Sequence, residues 1–202
     1  MSTQKAWVAG CFAESAKNLG VLAADEKLIT SLIQVSALIA EAYSMGGCLF
    51  VIGNGGSAAD AQHLVAELIS KLSKDRNPIK AFALTVDTSI LTAIGNDYGY
   101  EKVFSRQVRG VMSKNDILLA ITTSGNSPNI LEALTACKEI GATSILLSGK
   151  EGGKAVRFAD HSLLAPGAHT AAIQESHLVM YHMLCALIES DLAERGIVKF
   201  TT

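Results

Sequence analysis

Short, uninterrupted apolar runs separated by stretches of helical periodicity constrain this chain most: CLFVIG at 48–53, AFALTV at 81–86, ILLAIT at 117–122, SILLSG at 144–149 and HSLLA at 161–165. A strand with one wet face alternates polar and apolar residues, whereas a continuous run implies cover on both faces, as in a parallel sheet between helices. Helical stretches begin near 57, span 128–140 and close the chain over about 171–194, so strand and helix alternate. Two further helical patterns, roughly 3–20 and 26–45, come first, and Gly46-Gly47 stops the second. The expected class is therefore α/β, a doubly wound, roughly five-stranded parallel sheet flanked by helices and preceded by N-terminal helices. No Pro/Gly/Ser linker or internal repeat divides the 202 residues, so we read one domain over 1–202, with N-terminal helices over 1–46 and an α/β core over 47–202.

A composition of 49% hydrophobic and 18% charged residues suits a compact globule. The formal net charge is -2 and no Lys/Arg run occurs, so there is no electrostatic footprint for nucleic acid. No run approaches eighteen uninterrupted apolar residues, and the first twenty residues lack a signal-like core, so the expectation is a cytoplasmic protein with no membrane partner. Cys11, Cys48, Cys137 and Cys185 are far apart in apolar surroundings, which favours reduced, buried thiols.

In doubly wound sheets ligands bind outside the carboxyl ends of the strands, so the loops after each strand carry the functional signal. The first strand runs into Gly53-Asn54-Gly55-Gly56-Ser57 and then a helix. Glycines let backbone N–H groups approach an anion, and a helix N-terminus favours it; the same residues also read as a plain turn with Ser57 as N-cap. Gly53, Gly55 and Ala58 satisfy G-x-G-x-x-A, but the acidic residue that a dinucleotide ribose needs about twenty residues on, at the end of the next strand, is not there; Asp87 comes too late. The third run leads into Thr122-Thr123-Ser124-Gly125-Asn126-Ser127 with Pro128 at a helix start, a neutral cluster of hydroxyl donors suited to a phosphate monoester. Gly95 to Tyr100 reads as a turn whose amide and carboxylate groups suit sugar hydroxyls.

His63 and Glu67 stand four residues apart on one helix face, spaced either for a shared metal or proton or for a surface contact. The last helix carries Gln174, Glu175, His177 and His182 in an otherwise apolar stretch. Gln174 and His182 are separated by about 12 Å along the axis and roughly 80° around it, so they reach one centre only by leaning together or from different subunits. His177 reads as a satisfied core or interface histidine.

Together GNGGSAADAQHLVAEL at 53–68, AIGNDYG at 93–99, TTSGNS at 122–127, GKEGG at 149–153 and IQESHLVMYH at 173–182 resemble, in order, the pattern of the phosphoheptose isomerase family of the SIS fold. The resemblance implies that Ser57, Thr122, Thr123, Ser124 and Ser127 surround a substrate phosphate and that Asn54, Gly55, Gly56, Asn96 and Asp97 line the sugar site. It further implies that His63, Glu67, Gln174 and His182 form a zinc-binding and catalytic cluster, with one Zn2+ per subunit and Glu67 and Gln174 also facing substrate. The implied reaction is aldose–ketose isomerisation of D-sedoheptulose 7-phosphate to D-glycero-D-manno-heptose 7-phosphate, the first step toward nucleotide-activated heptose for lipopolysaccharide. Three positions depart from the family: Thr122 where Ser is frequent, Lys71 near a frequent Arg, and Ala172 where Arg often precedes the Ile-Gln pair.

Isomerisation through an enediol needs a base at the carbons and an acid at the oxygens, roles expected of Glu67 and His182. The competing reading is a non-catalytic SIS-fold binding protein similar to the replication-initiator-associating proteins, which lack the acid at 67 and the histidine at 182. Apolar residues around much of the last helix, among them Leu178, Val179, Met180, Leu184, Cys185 and Leu187, add the expectation of a homo-oligomer. The family implies a tetramer.

Overall fold

The computed structural model describes residues 2–149 and 151–201. Helices α1 (Ser2–Ala24) and α2 (Glu26–Ser44) lead into β1 (Leu49–Gly53), α3 (Gly56–Ile69), β2 (Ala81–Ala83), α4 (Thr88–Tyr98), α5 (Ser105–Val111) and β3 (Ile117–Thr122). The chain continues through α6 (Pro128–Glu139), β4 (Thr143–Gly149), β5 (His161–Ala165) and α7 (Thr170–Glu194). The five strands form one parallel sheet in the order β2-β1-β3-β4-β5.

Continuous apolar strands follow from two cores. In β3, Ile117, Leu119 and Ile121 face a core shared with α2, α3 and α7, while Leu118 and Ala120 face one shared with α5 and α6. Strand order turns back at β1, whose two neighbours are β2 and β3, so the topological switch point lies between β1 and β3. The two loops singled out in the sequence follow these two strands.

The segment between β2 and β3 departs from expectation. Strand β2 ends at Ala83, and Asp87 caps α4 through its side chain, which accepts from Ile90 N at 2.9 Å. Asn96 and Asp97 therefore lie in the last helical turn of α4 and not in a turn; the chain reverses at Gly99, φ 90°. Among the cysteines, Cys48, Cys137 and Cys185 are buried free thiols as expected, but Cys11 is exposed on α1.

Arg76, in the loop after α3, is buried and ties two functional helices. Its guanidinium donates to the carbonyl oxygens of Glu67 at 2.8 Å and Leu68 at 2.9 Å at the end of α3, and to Glu189 Oε2 on α7 at 2.6 Å.

Candidate active site

A cleft of about 280 Å3 opens at the switch point, lined by Asn54, Gly55, Gly56 and Ser57 from one loop and Thr122, Thr123, Ser124 and Ser127 from the other. Thr170 and Gln174 on α7 close it, and no charged side chain lines it among the described residues. Helices α3 and α6 begin at its edge, so the positive ends of two helix dipoles face a neutral, hydroxyl-rich space. Such a space suits an anion.

The local sequence explains the shape. Gly55, φ 55°, is the N-cap of α3 and no side chain caps it, so Ser57 is not the cap; its hydroxyl is left to the cleft wall. A Cβ at Gly56 would fall 2.2 Å from Gln174 Nε2, so glycine admits that amide. Ser127 is the N-cap residue of α6 but makes no side-chain cap bond. Thr122 Oγ1 accepts from Gly125 N at 3.3 Å and Ser124 Oγ from Asn126 N at 3.2 Å, which holds the second loop.

One bridge across the switch point has no signal in the sequence. Asn54 and Asn129 exchange reciprocal amide hydrogen bonds of 2.8 Å each, and Tyr100 Oη donates to Asn54 Oδ1 at 3.2 Å. With both lone pairs of Oδ1 engaged, Asn54 offers a ligand one remaining N–H.

Helices α3 and α7 run side by side in the same direction: Gly56 meets Gln174, His63 meets Tyr181 and Leu64 meets Cys185. This pairing brings His63, Glu67 and His182 together within one chain, with ligand atoms all within 4.8 Å of one another. His63 Nε2 lies 3.0 Å from Glu67 Oε1 and 3.4 Å from His182 Nε2. The His63–Glu67 pair is thus joined by His182, and no second subunit is needed to bring that histidine to it. Gln174 sits two turns earlier on α7, against the glycine loop.

Other expected residues are placed differently. Asn96 and Asp97 are exposed, bonded to each other at 2.8 Å, and outside the cleft lining. Of the Gly149–Gly153 motif, Lys150 lies outside the described residues. Ala172 is buried in the first turn of α7 and Lys71 is exposed beyond the end of α3. His177 is fully buried, as expected of a core residue, but both ring nitrogens lack a partner, and burial pushes its pKa from 6.5 down to about 4. Burial also raises the Tyr181 phenol and the Asp60 carboxyl beside it.

Comparison with known proteins agrees with this geometry. The SIS domain family model matches residues 12–149. The phosphoheptose isomerase of Aquifex aeolicus is 45% identical over 87% of this chain and 92% of its own, and phosphoheptose isomerase 2 of Campylobacter jejuni is 44% identical over 97% and 98%. The solved structure of phosphoheptose isomerase GmhA from Neisseria gonorrhoeae, 40% identical, aligns with a TM-score of 0.86 over 93% of this chain and 99% of that one. Matched across most of its length by the domain model and by relatives nearly end to end, the chain belongs to the phosphoheptose isomerase family of SIS-domain proteins.

Proposed function

We propose that this protein is a phosphosugar isomerase that converts D-sedoheptulose 7-phosphate into D-glycero-D-manno-heptose 7-phosphate. The observation that carries the reading is the separation of two sites along one helix. Ser57, at the phosphate-type cleft, precedes His63 and Glu67 by six and ten residues, so the cluster lies about 9–15 Å further along α3. A seven-carbon phosphate has eight bonds between phosphorus and C1 and spans about 10 Å when extended at roughly 1.2 Å per bond. Phosphate in the cleft thus brings C1 and C2 to the acid/base groups.

The Glu67 carboxylate takes a proton from C1, the C–H electron pair becomes the C1–C2 double bond, and the carbonyl pair moves onto O2. His182 supplies a proton to O2. Return of a proton to C2 and loss of the O1 proton then leave the aldehyde at C1. Two imidazoles and a carboxylate within 4.8 Å are a donor set that fits Zn2+. His63, Glu67 and His182 would hold the ion, which when bound would polarise the carbonyl as a Lewis acid, whereas Gln174, expected as a further ligand, stands against Gly56 at the phosphate cleft.

The working unit is a homotetramer in this reading. Helix α1 buries none of its residues within the chain and leaves Trp7 70% and Phe12 73% exposed, an apolar surface that needs cover. No helix among the described residues is long and apolar enough to cross a membrane, in keeping with work in the cytoplasm on a nucleotide-heptose precursor for lipopolysaccharide. The test is to incubate the purified protein with sedoheptulose 7-phosphate and follow the aldose signals by NMR. Binding without turnover would favour the non-catalytic reading, against which stand Glu67 and His182.

A further inference from the structure

Tyr181 is fully buried and stands edge-on to both histidines of the cluster, whose own rings are 5.0 Å apart. Its ring centroid lies 5.5 Å from that of His63 and 4.9 Å from that of His182, each at 76°. The hydroxyl is 2.9 Å from His63 Nδ1, while Nε2 of the same ring faces Glu67 and His182. The two nitrogens of His63 therefore serve different neighbours.

A neutral imidazole carries one proton, and the bond made by one nitrogen decides what the other can do. With the proton on Nδ1, His63 donates to Tyr181 Oη and Nε2 presents a lone pair to the space shared with Glu67 and His182. The phenol must then send its own proton elsewhere. Asp60, one turn before His63 on the same face of α3, carries a buried Oδ2 with no hydrogen-bond partner, an acceptor near Tyr181 although no hydrogen bond joins the two. A carboxylate can only accept, so it sets the direction of the chain.

We propose that Tyr181 is a positioning residue for His63: it relays hydrogen-bond direction from Asp60 to Nδ1 and thereby leaves Nε2 free to ligate a divalent cation. The proposal rests on the reading of His63, Glu67 and His182 as a cation centre. Without the hydroxyl, Nδ1 loses its partner and the proton moves to Nε2, where Glu67 Oε1 at 3.0 Å accepts it. That proton occupies the position a cation needs.

Tyr181→Phe removes one oxygen and keeps the ring. Two readouts decide: Zn2+ affinity by competition with a chromophoric chelator, and the His63 tautomer by long-range 1H–15N NMR of the metal-free protein. We expect affinity to fall about 10–100-fold and the tautomer to shift from Nδ1–H to Nε2–H. A natively folded variant with unchanged tautomer and affinity overturns the proposal. Should Tyr181→Phe fail to fold, Asp60→Asn, which leaves the ring packing intact, is read the same way, and no change in either readout overturns it. A wild-type protein that binds no Zn2+ refutes the cation reading, and the tautomer shift still decides the role of Tyr181.

Discussion

His177 makes stability depend on pH in a way that can be worked out in advance. The ring is 0% exposed, both nitrogens lack partners, and the Ser148 main chain opposes the effect of burial without reaching hydrogen-bonding geometry. Its pKa is about 4 in the fold against 6.5 for the free side chain. Between those values the unfolded chain binds a proton that the folded one does not, so stability from this group is full above pH 6.5 and is lost as pH falls toward 4. At about 1.4 kcal/mol per pH unit, lowering pH from about 7.5 to 4.5 removes on the order of 2–3 kcal/mol through His177 alone. His177→Phe abolishes the titration while filling similar space, and replacing an unsatisfied polar ring by an apolar one is tolerated. Urea unfolding of both proteins at fixed protomer concentration, at the two pH values, isolates the contribution from that of the carboxylates. Wild type should lose on the order of 2–3 kcal/mol more than the variant; parallel losses would refute the reasoning.

Glu67→Gln and His182→Gln should each lower kcat about 10²–10⁴-fold with near-UV circular dichroism unchanged, as removal of an acid or base does. Ser127→Ala should raise KM with kcat and melting temperature unchanged, because the hydroxyl lines the cleft and makes no cap bond; a fall in melting temperature alone would assign it a structural role. Arg76→Met should cost about 3–5 kcal/mol in urea unfolding by leaving Glu189 buried and unpaired, and Arg76→Met with Glu189→Leu should recover the part owed to that carboxylate but not the part owed to the Glu67 and Leu68 carbonyls.

The strands buried on both faces were legible because their apolar runs are unbroken, and β1, β3, β4 and β5 fall within a residue of their expected bounds. Helix α4 was not. It buries no residue fully, and its Thr, Ser, Gly and Asn content resembles a loop, so Asn96 and Asp97 read as a turn. The hydroxyl and glycine loops and the His63–Glu67 pair stood out because their chemistry is contiguous in the chain. Asn129, Arg76, Asp60 and Tyr181 did not, since each acts through a partner set by the fold: Tyr181 meets His63 across 118 residues. Nothing local distinguishes such a tyrosine from a core residue.

The central claim is that one chain holds the phosphate in the cleft between β1 and β3 while Glu67 moves a proton between C1 and C2. Turnover of sedoheptulose 7-phosphate in D2O, followed by NMR for wild type and Glu67→Gln, tests it directly. The account predicts an aldose 7-phosphate carrying deuterium at C2 from the wild-type protein and none from the variant. Absence of aldose from the wild-type protein, or equal formation by Glu67→Gln, would contradict it.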